Sequence, residues 1–208
     1  MCRANPQRRV PTGRNTSLSA EYHIIMNVYD FDQTIFDGDS TVLFIRYLLK
    51  KKPGLALRAP LVLGNGLLFL TGLRGKQVFK ERLFHAIFST ADVPALLPTF
   101  WDEYACRIKK FYLDLQKPDD VVITASPADI VRPMCLRLGI KTVLGSPVDL
   151  RTGRYAGSNC HGAEKVRRFR ERFPDAAVDD FYSDSHADEP MARIAKRAFM
   201  VRGERVEP

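Results

Sequence analysis

From Asp120 to the end of the chain, short apolar runs take turns with stretches of helical pattern, and this alternation restricts the fold more than any other feature. Residues 121–124, 141–144, 180–183 and 198–201 read as strands, and 128–138, 163–173 and 187–196 as helices between them. Strands joined through helices run parallel, because the crossover brings the chain back in the direction it left. The predicted class is therefore α/β, an open Rossmann-like parallel sheet. One more strand is predicted at residues 24–31, an apolar run that ends in acids. Between it and Asp120 the pattern is helical throughout, so the sheet is interrupted after its first strand by an all-helical insertion. The divisions read from these changes are a flexible leader at 1–23, a core at 24–38 and 118–208, and a helical cap at 39–117.

Within the insertion, Asp39 or Ser40 can cap a helix running to about residue 52. Residues 55–73 are apolar and broken by glycines, and 76–88 place Phe79, Leu83, Ala86 and Ile87 on one helical face. After Pro94, the residues Leu97, Trp101, Tyr104, Ile108, Phe111 and Leu115 follow at intervals of 4, 3, 4, 3 and 4, which predicts one long helix with a continuous core-packing stripe. Further on, residues 148–157 carry a Thr152-Gly153 turn between two short arms and read as a hairpin.

At 208 residues the chain is long enough to bury a substantial core but too short for a large multidomain enzyme. Its 4 cysteines form no C-x-x-C pair, which argues against a disulfide framework or a zinc site and makes the reducing cytosol the default compartment. The first residues hold several arginines but no apolar core of a signal peptide, and Met26 offers an alternative start just ahead of the first strand. The uncharged stretch from Ala59 to Leu73 is shorter than the roughly 20 residues a spanning helix needs.

Charge is unevenly placed. Between Arg46 and Arg82 there are nine Lys and Arg against the one acid Glu81, so this segment accounts for the whole net charge of +8. A basic patch around an apolar stretch suits an anionic surface, either a phospholipid layer or a phosphate-rich substrate, although a solvated basic helix face has the same composition. The rest of the chain is neutral and lacks interleaved basic and aromatic residues, so a nucleic-acid partner is not expected.

In an open parallel sheet, reactive groups gather at the carboxyl ends of the strands. The first predicted strand runs into Asp30-Phe31-Asp32-Gln33-Thr34. Extended residues alternate, so Asp30 and Asp32 point the same way while Phe31 turns inward. Two carboxylates so close repel unless a cation joins them, and a hard cation with oxygen ligands, Mg²⁺ above all, meets that need. After the second strand, Thr124-Ala125-Ser126-Pro127 places hydroxyls and backbone N–H groups at a helix start, where anions bind. Lys165 opens the next helix with a positive charge, and Asp184 and Asp188, four apart, fall on one helical face and supply further metal ligands.

In this order the residues resemble the haloacid dehalogenase-like phosphohydrolases, and within them the branch of the phosphoserine phosphatases. VYDFDQT looks like the first motif of that superfamily, VITAS like the second, Lys165 in GAEKV like the third and YSDSHADEP like the fourth. RYLLKKKPG, CHGAEK and YSDSHADEPM are also similar to the bacterial phosphatidylglycerophosphatase C group. The resemblance implies a Rossmann-like core with a helical cap and Mg²⁺-dependent hydrolysis of a phosphomonoester. Two departures stand out: Gln33 replaces a common Gly, and Thr-Ala-Ser-Pro at 124–127 replaces the Ser-Gly-Gly of typical phosphoserine phosphatases.

A phosphate ester repels anionic nucleophiles, and a metal with a lysine removes that repulsion. On this reading Asp30 is the nucleophile that becomes an aspartyl-phosphate, and Asp32 protonates the leaving alkoxide and then activates water. Thr34 orients the loop, Thr124 or else Ser126 binds the phosphoryl group, and Lys165 neutralises developing charge. The metal set is Asp30, Asp32, Asp184 and Asp188, with Asp188 acting through water or by positioning Lys165. Asp39 stands where phosphoserine enzymes carry an acid for the substrate amine, but a helix cap explains it equally well. His161 and His186 have no assigned role, since the two carboxylates already supply acid and base. The expected substrate is a lipid phosphate such as phosphatidylglycerophosphate, met at the inner membrane face. The alternatives are a soluble small-metabolite phosphatase and, less in keeping with the charge distribution, a nucleic-acid-binding module. Dehalogenation has no use for the metal set.

Overall fold

The computed structural model describes residues 25–58, 75–89 and 91–208, together with 60, 63, 64, 66, 71 and 72. The leader at 1–23 and most of the glycine-broken stretch at 59–73 lie outside the described residues.

Six strands form one sheet in the order β3-β2-β1-β4-β5-β6. They are β1 (Ile25–Tyr29), β2 (Val121–Pro127), β3 (Thr142–Ser146), β4 (Ala177–Ser183), β5 (Ala195–Arg202) and β6 (Arg205–Glu207). All pairs are parallel except β5 with β6, which turn back on each other through Gly203 at φ 61. The alternation of strand and helix thus yields the α/β sheet it predicts. β1 lies between β2 and β4, so the chain builds outward on one side of β1 and then on the other, which opens a ligand crevice at the strand ends. Met26, Val28 and Tyr29 are buried, as a central strand covered on both faces requires. Tyr29 and Tyr182 stack across neighbouring strands with ring centroids 4.6 Å apart.

Between β1 and β2 the described chain is helical: α1 (Ser40–Lys51), a 3₁₀ turn (Pro53–Arg58), α2 (Lys76–Phe88), α3 (Val93–Tyr104) and α4 (Lys110–Leu115). The helices that follow are α5 (Ala128–Arg137), α6 (Ala163–Arg172) and the single turn α7 (Glu189–Ala192). Asp39 caps α1 by accepting from Val42 N at 2.9 Å, and Lys50 and Lys51 meet the negative end of its dipole. One large cluster, including Phe44, Phe100 and Trp101 from the insertion with Tyr29, Val122 and Ile130 from the core, fuses the two parts. Trp101 Nε1 donates to Ile130 O at 2.7 Å across that joint.

The structure corrects three local expectations. The long helix after Pro94 breaks at Ala105–Arg107, a 3₁₀ turn, and Ile108 is extended. The reason lies outside the local pattern: Asp37 N donates to Arg107 O at 2.9 Å and Lys109 N to Ile35 O at 2.8 Å, so residues 107–109 pair with the loop after β1. The apolar stripe accordingly stops, and Leu115 is exposed while Tyr112 is fully buried. In α2 the buried face is Phe84, Ala86, Ile87 and Phe88, with Phe79 and Leu83 only half-buried. The helix predicted at 187–196 shrinks to a 3₁₀ turn (His186–Asp188) and α7, because β5 takes up the chain from Ala195 to pair with Val178.

The hairpin at 148–157 is present in reduced form, as a Val148–Tyr155 bridge closed by Asp149 N donating to Arg154 O at 2.9 Å. Its tip presses on α2. His85 Nδ1 lies 2.7 Å from Thr152 O, and a Cβ at Gly153, whose φ is 71, would sit 2.3 Å from the backbone of Phe84 and His85. Gly153→Ala therefore combines a left-handed penalty with forced separation of hairpin and helix, and should destabilise the protein by about 3 kcal/mol. Urea unfolding of the two forms checks this; midpoints that coincide would show that the hairpin is not seated there.

Candidate active site

The carboxyl ends of β1, β2 and β4 lie side by side. Asp30 N donates to Tyr182 O at 2.9 Å, which places Asp30 next to Ser183, and the β1–β2 register sets Tyr29 against Val122, two residues before Thr124. Phe31, in the turn that follows β1, is fully buried between Phe36 and Trp101, while the carboxylates of Asp30 and Asp32 on either side of it take partners from other elements.

The loop from 33 to 38 is tight. Gln33 has φ 58, the one non-glycine positive φ among the described residues, so this L-residue occupies the left-handed conformation the turn needs. Gln33 N donates to Gly38 O at 3.0 Å and Phe36 N to Phe31 O at 2.9 Å. Lys109, itself buried, donates its ammonium to Gln33 O from below. Burial pulls the Lys109 pKa below the usual lysine value. Thr34 is fully buried in this turn with its hydroxyl unpartnered.

Lys165 brings the distant acids together. It is 1% exposed, and its Nζ lies 3.1 Å from Asp30 Oδ1 and 2.7 Å from Asp188 Oδ2. Ser183 Oγ also donates to Asp188 Oδ2, at 2.7 Å. Burial opposes the charge on Lys165, but Asp30 and Asp188 outweigh it and hold the ammonium above its ordinary pKa. For Asp30 burial raises the pKa to about 7, with Lys165 pulling the other way and Asp188 and Asp32 adding to the rise. Its Oδ1 also accepts from Phe31 N at 2.9 Å.

Asp32 is engaged elsewhere. Its Oδ1 accepts from Ser40 N at the start of α1 at 2.7 Å, and its Oδ2 accepts from Ser126 Oγ. Burial, helped by the charge of Asp39, lifts Asp32 to about 6 against the pull of Ser126 and Ser40. Thr124 is buried in the middle of β2, where its Oγ1 accepts from Ser126 N at 3.1 Å. Asp184 is half-buried in the bend before the 3₁₀ turn; burial raises its pKa, and it feels the charges of Asp188 and Lys165.

The expected metal set is thereby redrawn. Asp184 and Asp188 do not share a helical face, because the segment is a bend followed by a 3₁₀ turn. Asp188 turns to Lys165 and Ser183, and the Asp32 carboxylate to α1 and Ser126. Among the described residues no group of three or more His, Cys, Asp and Glu side chains is placed to hold an ion. The carboxylates of Asp30 and Asp184 are hard oxygen donors. That chemistry fits Mg²⁺, which takes one or two carboxylates and fills its octahedron with water and substrate phosphate. Raised pKa values at Asp30, Asp32 and Asp184 point the same way, since buried carboxylates in excess of the local lysine favour a cation.

Asp39 serves as the helix cap, and His161 and His186 are exposed. Sequence reasoning missed Ser183, Ser40, Thr41 and Lys109. Ser183 was within reach, since it directly precedes Asp184 at a strand end; Lys109 carries no local signal, because its position depends on the break in the helix.

A buried ammonium joining acids from the ends of separate elements, beside the strand ends of a doubly built parallel sheet, places the protein among the Rossmann-like α/β folds. The chain belongs to the haloacid dehalogenase-like hydrolases, whose family profile matches residues 28–193, from within β1 to just past α7. It is thus an enzyme of the phosphatase type that works through an aspartate nucleophile. Among curated proteins it is similar to Protein CicA of Caulobacter vibrioides, with 28% identity over 196 residues, 82% of this chain and 83% of that one. Among solved structures it shares its fold with a protein of unknown function from Bordetella pertussis Tohama I, at TM-score 0.68 and 18% identity, covering 85% of this chain and 89% of the other. It also shares it with the HAD family hydrolase t0658 of Salmonella enterica serovar Typhi, at TM-score 0.61 and 14% identity, covering 82% of this chain and 60% of that one.

Proposed function

We propose that Asp30 is the nucleophile of a Mg²⁺-dependent phosphomonoester hydrolase with a core at 24–38 and 118–208 and a cap at 39–117, and that its substrate is a lipid phosphate. The observation that carries the chemistry is the contact of Lys165 with both Asp30 and Asp188: it aims a fixed positive charge at the nucleophilic carboxylate. An Asp30 oxygen attacks phosphorus, the bond from phosphorus to the ester oxygen breaks, and Asp32 passes its proton to the departing alkoxide. In the second step Asp32 takes a proton from water as that water attacks the phosphorus of the aspartyl-phosphate, which releases phosphate and restores Asp30. Lys165 and the Thr124 hydroxyl, which accepts from Ser126 N and keeps its own proton to donate, offset charge on the phosphoryl oxygens. Asp30, Asp184 and the Asp32 carbonyl would hold Mg²⁺, and the ion would supply charge neutralisation.

Support for a lipid substrate comes from the cap. Leu57 is 86% and Leu63 71% exposed, beside the exposed Lys50, Lys51 and Lys52 and the half-buried Arg58. Exposed leucines in a lysine-rich segment fit an anionic bilayer, apolar tips in the interface and ammonium groups at the headgroups. Among the described residues no single helix is long and apolar enough to cross a membrane; the contact we propose is peripheral, at the cytoplasmic face. The protein should co-sediment with phosphatidylglycerol vesicles and not with phosphatidylcholine vesicles, and should release phosphate faster from phosphatidylglycerophosphate than from phosphoserine. Turnover of soluble esters alone, with no vesicle binding, replaces the lipid reading with that of a soluble metabolite phosphatase.

A further inference from the structure

We propose that Thr41, on the first turn of α1, is a positioning residue for Asp32 that acts through the hydroxyl of Ser126. The three residues stand on three different elements: Thr41 on the first helix of the cap, Ser126 at the end of β2 and Asp32 in the turn after β1. Ser126 Oγ donates to Asp32 Oδ2, and Thr41 Oγ1 lies 2.9 Å from Ser126 Oγ. A hydroxyl has one proton to give. The Ser126 proton is committed to Asp32, so in this pair Thr41 is the donor and Ser126 the acceptor. The order of donation runs from the cap through the core to the acid.

The other oxygen of Asp32 also belongs to α1. Ser40 N donates to Oδ1 at 2.7 Å, so both carboxylate oxygens are set by the same helical turn, one directly and one through Ser126. Ser126 cannot drift on its own, because its backbone N–H is fixed to Thr124 Oγ1 at 3.1 Å. Thr41 is 9% and Ser126 5% exposed, and removing a partner inside such a buried chain leaves a polar atom unsatisfied. Seating α1 on the core and aligning Asp32 are thus one event. Ser126 accordingly moves from a phosphate contact to a link between cap and acid. The assignment rests on the proposed role of Asp32 as proton donor to the leaving group.

Leaving-group dependence separates this from a general structural effect. A p-nitrophenyl ester departs without a proton, whereas an alkyl ester needs one, so a displaced Asp32 damages kcat/KM for the alkyl ester selectively. With glycerol 2-phosphate, Thr41→Val should lower kcat/KM about tenfold, and with p-nitrophenyl phosphate less than about twofold, since general acid catalysis is worth roughly 10²–10⁴ and its alignment a part of that. Thr41→Ser restores the donor and should restore the rate. In a Ser126→Ala background, Thr41→Val should add no further loss, because the link is already cut. Equal losses on both esters, an undiminished loss in the Ser126→Ala background, or no loss at all overturns the assignment. Thr41→Ala takes the place of the valine variant if its melting temperature shows unfolding. Asp30→Asn, assayed alongside, keeps the two levels apart: surviving activity there overturns the proposed function, while an inactive Asp30→Asn with an unimpaired Thr41→Val overturns the positioning role alone.

Discussion

Replacing Asp30 with asparagine is expected to cut Mg²⁺-dependent phosphate release by at least about 10³-fold, the scale on which loss of a covalent nucleophile acts. The side chain keeps its shape but no longer carries an anion able to bond to phosphorus. Folding should survive the change. Lys165 retains Asp188 at 2.7 Å, and the asparagine oxygen can still accept from Phe31 N, as Asp30 does at 2.9 Å. Burial already opposes the ionised form of Asp30, so a neutral amide relieves part of that penalty. Phosphate release and thermal unfolding on the same preparation decide the point. A folded Asp30→Asn protein that still turns over removes Asp30 from the nucleophile's place.

The second large effect is at Lys165, and it is an effect on stability as well as on rate. Lys165→Met leaves the Asp30 and Asp188 carboxylates buried without their shared cation, which should cost about 3–5 kcal/mol near neutral pH. The loss depends on pH in a defined direction. Asp30 titrates at about 7 in the folded protein against 3.8 for the free side chain, so the folded form binds the extra proton and the contribution of Asp30 to stability falls as pH rises between those values. Lys165 pulls the Asp30 pKa down, so its removal pushes the window higher still. At pH 5 Asp30 is protonated in both proteins and its share of the penalty is small; at pH 8 it is ionised only against resistance. The destabilisation by Lys165→Met, measured by urea unfolding without added metal, should therefore be greater at pH 8 than at pH 5. An equal loss at both values would mean that Lys165 does not control the charge on Asp30.

Much of the architecture is legible along the chain because it depends on short-range rules. Strand and helix periods repeat within a few residues, so the parallel sheet, the insertion after β1 and the capping of α1 by Asp39 all follow from local reading. Phe31 is buried as expected, although it lies in the turn after β1 rather than on the strand. Where local reading went astray, a partner from far along the chain had overruled it. The stripe after Pro94 satisfies helical spacing as far as Leu115, yet hydrogen bonds to Ile35 and Asp37 hold residues 107–109 in an extended path. Asp184 and Asp188 have helical spacing too, yet the pull of β5 on the following residues leaves only a 3₁₀ turn there.

The sequence by itself determined which chemical groups reach the ends of the strands: carboxylates after β1, hydroxyls in the carboxyl-terminal half of β2, an ammonium at the start of α6, and acids after β4. It did so because side-chain direction in a strand, and the grouping of functional ends in a parallel sheet, are fixed by backbone geometry. Only the tertiary structure decided how those groups pair. Asp188 meets Lys165, 23 residues away, and Asp32 meets Ser126, 94 residues away. No periodicity extends over such separations. The partner of a buried charge is selected by which neighbour can satisfy it once water has been excluded, and that neighbour exists only in the folded molecule.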